Sequence, residues 1–248
     1  MINMIAQPFK RKKLIKLFGL GFLMMMVCLQ DLQSQSFVFG PKIGPSLGFQ
    51  LWGNSQNRGA LTTFHGSFFI ESYEEDQASS LYAEIGFHKR GSSEIATFNA
   101  RTPTEIFRRR LQYEFNNLSV LAGAKKILNM EKKAKPYYVL ALRGEYTLST
   151  NLDEYIGFGP YVPDEFFVRK LNYGFTVGGG FQYDFAELFG AAIEFTISPD
   201  ISSQYMQPPL SNIVNRNGNR ISLPEKQIRN VSIEISAVLR MKRILERI

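Results

Sequence analysis

Several stretches of this chain alternate apolar and polar residues with strict period two, and their apolar faces carry almost no charge. Residues 81–88 set Leu81, Ala83, Ile85 and Phe87 against Tyr82, Glu84, Gly86 and His88. Residues 171–184, 189–198 and 231–240 repeat the pattern, with Leu171, Tyr173, Phe175 and Val177, then Phe189, Ala191, Ile193, Phe195 and Ile197, then Val231, Ile233, Ile235, Ala237 and Leu239 on one side. A period of two places each set on one face of an extended strand. Weaker alternation near 38–50, 61–72, 111–126 and 137–149 completes the set. Eight strands are therefore predicted, at 38–50, 61–72, 81–90, 111–126, 137–149, 168–184, 188–198 and 228–242.

What the sheet faces follows from the minority side. Gly174, Gly178, Gly180, Gly190 and Ala192 are small, while Glu84, Arg143, Glu145, Glu194, Glu234 and Arg240 are charged. A soluble sandwich or lipocalin-like barrel keeps a larger, more solvated outer face. A narrow barrel with lipid outside needs the opposite: a tight interior of small residues and paired charges. The connections left by these strand boundaries alternate longer and shorter, as expected when long loops gather at one end of an antiparallel barrel. Tyr146, Tyr173, Tyr183, Phe181 and Phe195 fall near strand ends on the apolar face, where interfacial aromatic girdles belong.

The N-terminus agrees with export. Lys10, Arg11, Lys12, Lys13 and Lys16 precede an apolar run from Leu17 to Leu29, the layout of a secretory signal peptide and too short for a comfortable membrane span. Residues 1–34 are read as a cleaved signal, with the mature chain starting at Gln35 or Phe37, and residues 35–248 as one barrel domain. Cys28 follows Met26 and Val27, a poor match to a lipidated cysteine. The formal charge of +7 suggests nucleic acid or an anionic membrane until it is located. Removing five basic residues and one acid leaves 24 against 21, and the case for nucleic acid goes with the leader. One Cys excludes a disulfide scaffold and a cysteine zinc site.

Several segments together resemble the small PorT-type outer-membrane β-barrel proteins of Bacteroidetes. They are Gly40-Pro41-Lys42-Ile43-Gly44, the stretch from Leu81 to Gly91, Tyr113 to Lys125, Pro136 to Gly144, and Leu171 to Gly180. The likeness covers nearly all of residues 37–242. It implies an all-β antiparallel transmembrane barrel in the outer membrane, and a founding type connected with type IX secretion. Two departures stand out: Ser119 or a neighbour replaces a proline of the fourth strand, and Arg240–Ile248 runs past the expected aromatic end, where an assembly signal belongs.

Glu84, His88, Arg143, Glu145, Glu194, Glu234 and Arg240 share the parity of the lumen and read as a structural plug, the alternative being a proton or ion path. His65 and His88, with Ser67 nearby, raise a lipid hydrolase, but the spacing supplies no oriented third group. No catalytic residue, metal ligand or cofactor site is assigned. Gly178-Gly179-Gly180 lies inside a strand with no following helix, so it is no phosphate loop. Arg108, Arg109 and Arg110 are placed at the outer rim as a contact for an anion such as lipopolysaccharide phosphate, or as partners of Asp153, Glu154, Asp164 or Glu165. Tyr155, Phe158, Tyr161, Phe166, Phe167, Tyr205, Met206, Pro208 and Pro209 sit on long loops, either as a protein-binding surface or packed over the mouth. The expectation is a monomer with both termini in the periplasm and a structural, binding or secretion-accessory role. A small-solute channel and an outer-membrane lipid-modifying enzyme are the rival classes.

Overall fold

The computed structural model describes residues 36–53, 58–74, 76–99, 106–158, 163–214 and 218–244. Residues 1–34, expected to be a leader, lie outside these residues, as do Gln35, Tyr161 and the side chain of Phe158, while Phe37 lies on β1. The strands are β1 (Ser36–Trp52), β2 (Gly59–Tyr73), β3 (Ser79–Asn99), β4 (Ile106–Ile127), β5 (Ala134–Thr150), β6 (Leu171–Asp184), β7 (Phe189–Pro199), three short ones, β8 (Tyr205–Gln207), β9 (Leu210–Val214) and β10 (Arg220–Leu223), and finally β11 (Lys226–Arg243). β1 to β7 and β11 pair in sequence order, and β11 returns to β1, so eight antiparallel strands close a ring. Phe37 pairs with both Ser72 and Arg243, so both ends of the described chain lie at one end of the barrel, here the lower end.

The register fixes the shape. Partners followed around the ring run Leu171, Tyr146, Leu118, Phe87, Gly66, Ile43, Ala237, Ile193 and back to Phe181 on the starting strand, a shear of ten residues. With about 3.3 Å per residue and about 4.8 Å between strands, that shear gives a tilt of about 40° and a backbone radius of about 8 Å. Side chains from opposite walls then meet at the axis.

The two faces divide by chemistry. Outward-facing Leu81, Phe64, Leu142, Leu171, Phe181 and Ile193 are all more than 60% exposed. On β6 the outward set runs from Leu171 to Tyr183, which at this tilt is about 30 Å of height, the thickness of a hydrocarbon core. An apolar belt of that height on a sheet with no open edge is the exterior of a transmembrane barrel. Inward positions are polar or small, with two apolar clusters: Val38, Phe69, Tyr82, Leu121 and Val139 low in the lumen, and Trp52, Leu111, Phe115, Leu152, Tyr205 and Ile228 across the upper mouth.

Three connections differ from the sequence expectation. The predicted loop at 91–110 is mostly ladder, because β3 and β4 stay paired from Ser79 with Lys126 up to Asn99 with Ile106. Threonine, isoleucine and arginine in that stretch suit a two-stranded ribbon, and the alternation is hidden because both faces stand above the belt. β6 starts at Leu171, with a 3-10 turn at Glu165–Phe167 before it. The last long connection carries β8 and the β9–β10 hairpin. It also completes the wall: β7 ends at Pro199, and above it the amide of Ile201 donates to Tyr173 O, while those of Asp200 and Gln204 donate to Asn230 O and Ile228 O.

Leu142 faces outward near mid-height of the belt and is 72% exposed. Leu142→Arg is expected to lower barrel stability by about 2–4 kcal/mol in lipid, whereas Thr176→Ser, which keeps the buried hydroxyl bonded to Ser198, leaves it unchanged; urea unfolding of vesicle-folded protein measures both.

Candidate functional site

The lumen is filled by charged layers stacked along its axis. Lowest, Glu71 accepts from Arg240 at 2.9 Å and pairs with Lys125 at 2.8 Å, and Arg240 also reaches Asp184 at 2.8 Å. Above it, the Lys42 ammonium donates to Glu84 at 2.8 Å, to Glu194 at 2.5 Å and to the Tyr82 hydroxyl at 3.0 Å, while Tyr137 donates to Glu194 at 2.9 Å. Next come the stacked rings of His65 and His88, 5.4 Å apart, with His88 Nδ1 2.8 Å from Glu234 and His65 Nε2 2.9 Å from Ser236 Oγ. Highest, Glu145 pairs with Arg90 at 2.6 Å and with Arg143 at 3.1 Å, and Arg143 also pairs with Asp200.

The seven lumen residues singled out from sequence are all buried, but they fall into four groups rather than one direct network. Glu84 and Glu194 meet through Lys42, His88 meets Glu234, Arg143 meets Glu145, and Arg240 stands apart with Glu71. Arg143 and Glu194 are not neighbours; they belong to different layers. Sequence reading missed Lys42, Glu71, Arg90, Lys125 and Asp200. Lys42, Glu71 and Lys125 have the inward parity of their strands, but on β1 the alternation is masked by Gly40, Gly44, Pro41 and Pro45. Asp200 is the first residue past β7. Glycine makes the top layer possible: a Cβ on Gly174 would lie 2.8 Å from Arg143 Nη2 and 2.3 Å from Pro199 O.

Little space remains between layers. Around Lys42, His65, His88, Arg143 and Glu234 the free volume is about 10 Å³, at the limit for one water. A vestibule of about 220 Å³ opens at the lower mouth, beneath Glu71, Gln182 and Arg240. His88 does have an orienting carboxylate in Glu234, but the Ser67 hydroxyl makes no hydrogen bond and no substrate can reach it through a filled lumen. Among the described residues no group of three or more His, Cys, Asp or Glu side chains is placed to hold a metal ion.

The upper mouth carries an aromatic cap. Tyr113 packs at 5.7 Å on Trp52 and 5.3 Å on Tyr155, and Phe167 meets Tyr205 edge-on at 6.1 Å. Tyr155, Phe167 and Tyr205 thus pack over the mouth, whereas Phe166 is 83% exposed. Arg58 lies 3.2 Å over the Trp52 ring and pairs with Glu94 at 3.0 Å. Lys226 sits 5.5 Å from the same ring, and burial, reinforced by the Arg58 charge, brings its ammonium down to about 8. Gln204, fully buried, closes the lumen beneath the cap by donating to Asn117 and Thr147, both at 2.9 Å.

Arg108, Arg109 and Arg110 are exposed, but they lie on β4, paired with Thr97, Ala96 and Ile95 rather than on a loop at the rim. Leu118 is the last outward apolar residue of β4, and Arg110 stands eight residues above it, about 20 Å along the axis. Among the described residues no ion pair joins these arginines to Asp153, Glu154, Asp164 or Glu165; the β5–β6 connection meets β4 lower down, where Asn151 and Tyr155 hydrogen-bond Gln112 and Glu114.

No protein-family model matches the chain, and no curated protein matches it. Among solved structures, the chain is similar to Neisserial surface protein A, at 15% identity over 84% of this chain and 97% of that one, with a TM-score of 0.49. It is also similar to the outer membrane protein OprG from Pseudomonas aeruginosa, at 7% identity over 84% and 96% with a TM-score of 0.44. Similarity to the outer membrane protease OmpT from Escherichia coli is 8% identity over 85% and 98%, with a TM-score of 0.41.

Arg143→Ala leaves Asp200 short of its cation and is expected to cost about 3–5 kcal/mol, with partial recovery when Asp200→Asn is added and none when Glu194→Gln is added; denaturant midpoints of the three variants decide it. Trp52 is the single tryptophan, so its emission is expected to titrate with a midpoint near 8 as Lys226 loses its proton, and Lys226→Met is expected to abolish that step.

Proposed function

We propose that this chain is an outer-membrane barrel that conducts no solute and presents a binding surface outside the cell. In this reading residues 1–34 are removed on export, residues 35–248 form the barrel, and both chain ends lie in the periplasm. The observation that carries it is the combination of an apolar belt outside and a lumen whose charges are paired and whose free space is about 10 Å³. A channel needs a wet path; ion pairs that bridge strands across an interior of this radius block one.

What stands free instead is the upper part of β3 and β4. Residues 95–99 and 106–110 pair with one another, and among the described residues no strand flanks them, whereas nearer the barrel Asn151 and Tyr155 bond the edge of β4 at Gln112 and Glu114. A ribbon bearing Arg108, Arg109 and Arg110 offers open edges and forked donors to a protein or an anionic glycan. The resemblance of the Gly40–Gly44, Leu81–Gly91 and Leu171–Gly180 segments to the PorT type supports a structural or secretion-accessory role in a Bacteroidetes outer membrane. Catalysis has no part in it, since the Ser67–His88–Glu234 grouping is shut inside the barrel. The belt runs around the whole ring, which favours a monomer in lipid.

The protein is expected to fractionate with outer membranes, to migrate differently on gels before and after boiling, and to leave planar-bilayer conductance at background. Recovery in the soluble periplasm would remove the membrane assignment; a steady current from the wild type would replace the sealed barrel with a channel.

A further inference from the structure

The outward surface at the top of the apolar belt is interrupted where β7 stops short and the 200–207 segment fills the wall between β6 and β11. Two arginines flank this patch. Arg169 stands two residues above Leu171, and Arg229 two residues above Val231, so each lies about 5 Å above the last outward apolar residue of its strand. Both are exposed. The amide of Arg169 donates to Gln204 O at 2.8 Å, and the amide of Gln204 donates to Ile228 O at 2.9 Å. The two arginines are therefore two ladder steps apart, about 10 Å, a gap that two extended side chains can close on one anion.

Their partners are weak. The Arg169 guanidinium donates to the Met206 thioether at 3.0 Å, and Met206 is paired with Gln227 of β11, so the Arg169 head lies over the segment between β6 and β11. A thioether is a poor acceptor for a charged donor, and among the described residues no carboxylate pairs with either arginine. Every buried cation of the lumen, by contrast, has a carboxylate within 3 Å or in direct contact. Immediately below the pair lie exposed Leu171, Tyr173 and Ile201.

We propose that Arg169 and Arg229 clamp a phosphate of an outer-leaflet glycolipid whose acyl chains lie along Leu171, Tyr173 and Ile201. Guanidinium forks match phosphate geometry, and the headgroup phosphates of such a lipid sit at the boundary of the hydrocarbon, the height of this pair. Arg108 and Arg110 stand too far above that boundary to meet the same phosphate. This assignment rests on the outer-membrane reading.

The test uses the full-length mature protein purified from membranes, stripped of lipid, and given bisphosphorylated lipid A, phosphate-free lipid A or inorganic phosphate. Native mass spectrometry is expected to find one bisphosphorylated lipid A retained by the wild type and by Arg108→Gln/Arg110→Gln, with retention at least ten-fold weaker for Arg169→Gln/Arg229→Gln. The single variant Arg229→Gln provides the same reading if the double variant does not fold, and heat-modifiability reports folding for each. Equal retention by the Arg169→Gln/Arg229→Gln protein, or equal binding of phosphate-free lipid A, overturns the clamp. Binding of inorganic phosphate strong enough to displace the lipid overturns the glycolipid in favour of a soluble anion. Failure of the outer-membrane reading would look different: a wild-type protein recovered in the soluble fraction without heat-modifiability.

Discussion

The ladder between β1 and β11 is the interaction on which the rest of the structure depends. It runs from Phe37 with Arg243 to Trp52 with Ile228 and joins the first strand of the sheet to the last. Without it the sheet would have two open edges in lipid, where unpaired amides and carbonyls cost several kcal/mol each. With it, strand number and shear are both set, and so is the interior width. Everything that points inward has to be small, or paired with something on another strand.

That geometry explains why the lumen is ionic and still dry. Among the described residues six buried carboxylates, Glu71, Glu84, Glu145, Glu194, Asp200 and Glu234, face five buried cations, Lys42, Arg90, Lys125, Arg143 and Arg240, with His88 against Glu234. Buried pairs of this kind add little net stability compared with a well-packed apolar interior. Their effect is on register. Slipping any strand by one residue would turn its charges to lipid and its leucines inward, so each layer ties three or four strands to one alignment. The apolar clusters above and below supply the packing that the charged layers do not.

Much of this was legible in the sequence, for reasons that differ between elements. β6, β7 and β11 alternate without interruption, and the eight strands of the ring follow from them and their weaker counterparts. The ribbon of β3 and β4 was not legible as strand, because residues 91–110 stand above the belt and no longer have one apolar face to betray the period. Inward parity picked out Glu84 and Arg143. It could not say which residues touch, since the shear of ten decides which residues of distant strands share a layer, and shear has no signature in any single strand. Lys42 was lost among Pro41, Pro45, Gly40 and Gly44, although it is the residue to which both Glu84 and Glu194 are bound.

Lys42 also bears on the order of assembly. Its carboxylate partners lie on β3 and β7, and Glu194 is 152 residues away in sequence. Lys42 can meet Glu84 as soon as β1, β2 and β3 pair, but Glu194 on β7 meets Lys42 only when β1 joins β11. A half-built sheet that entered the hydrocarbon would carry Glu194 without its cation. Joining the two ends of the sheet and neutralising Glu194 are thus the same step.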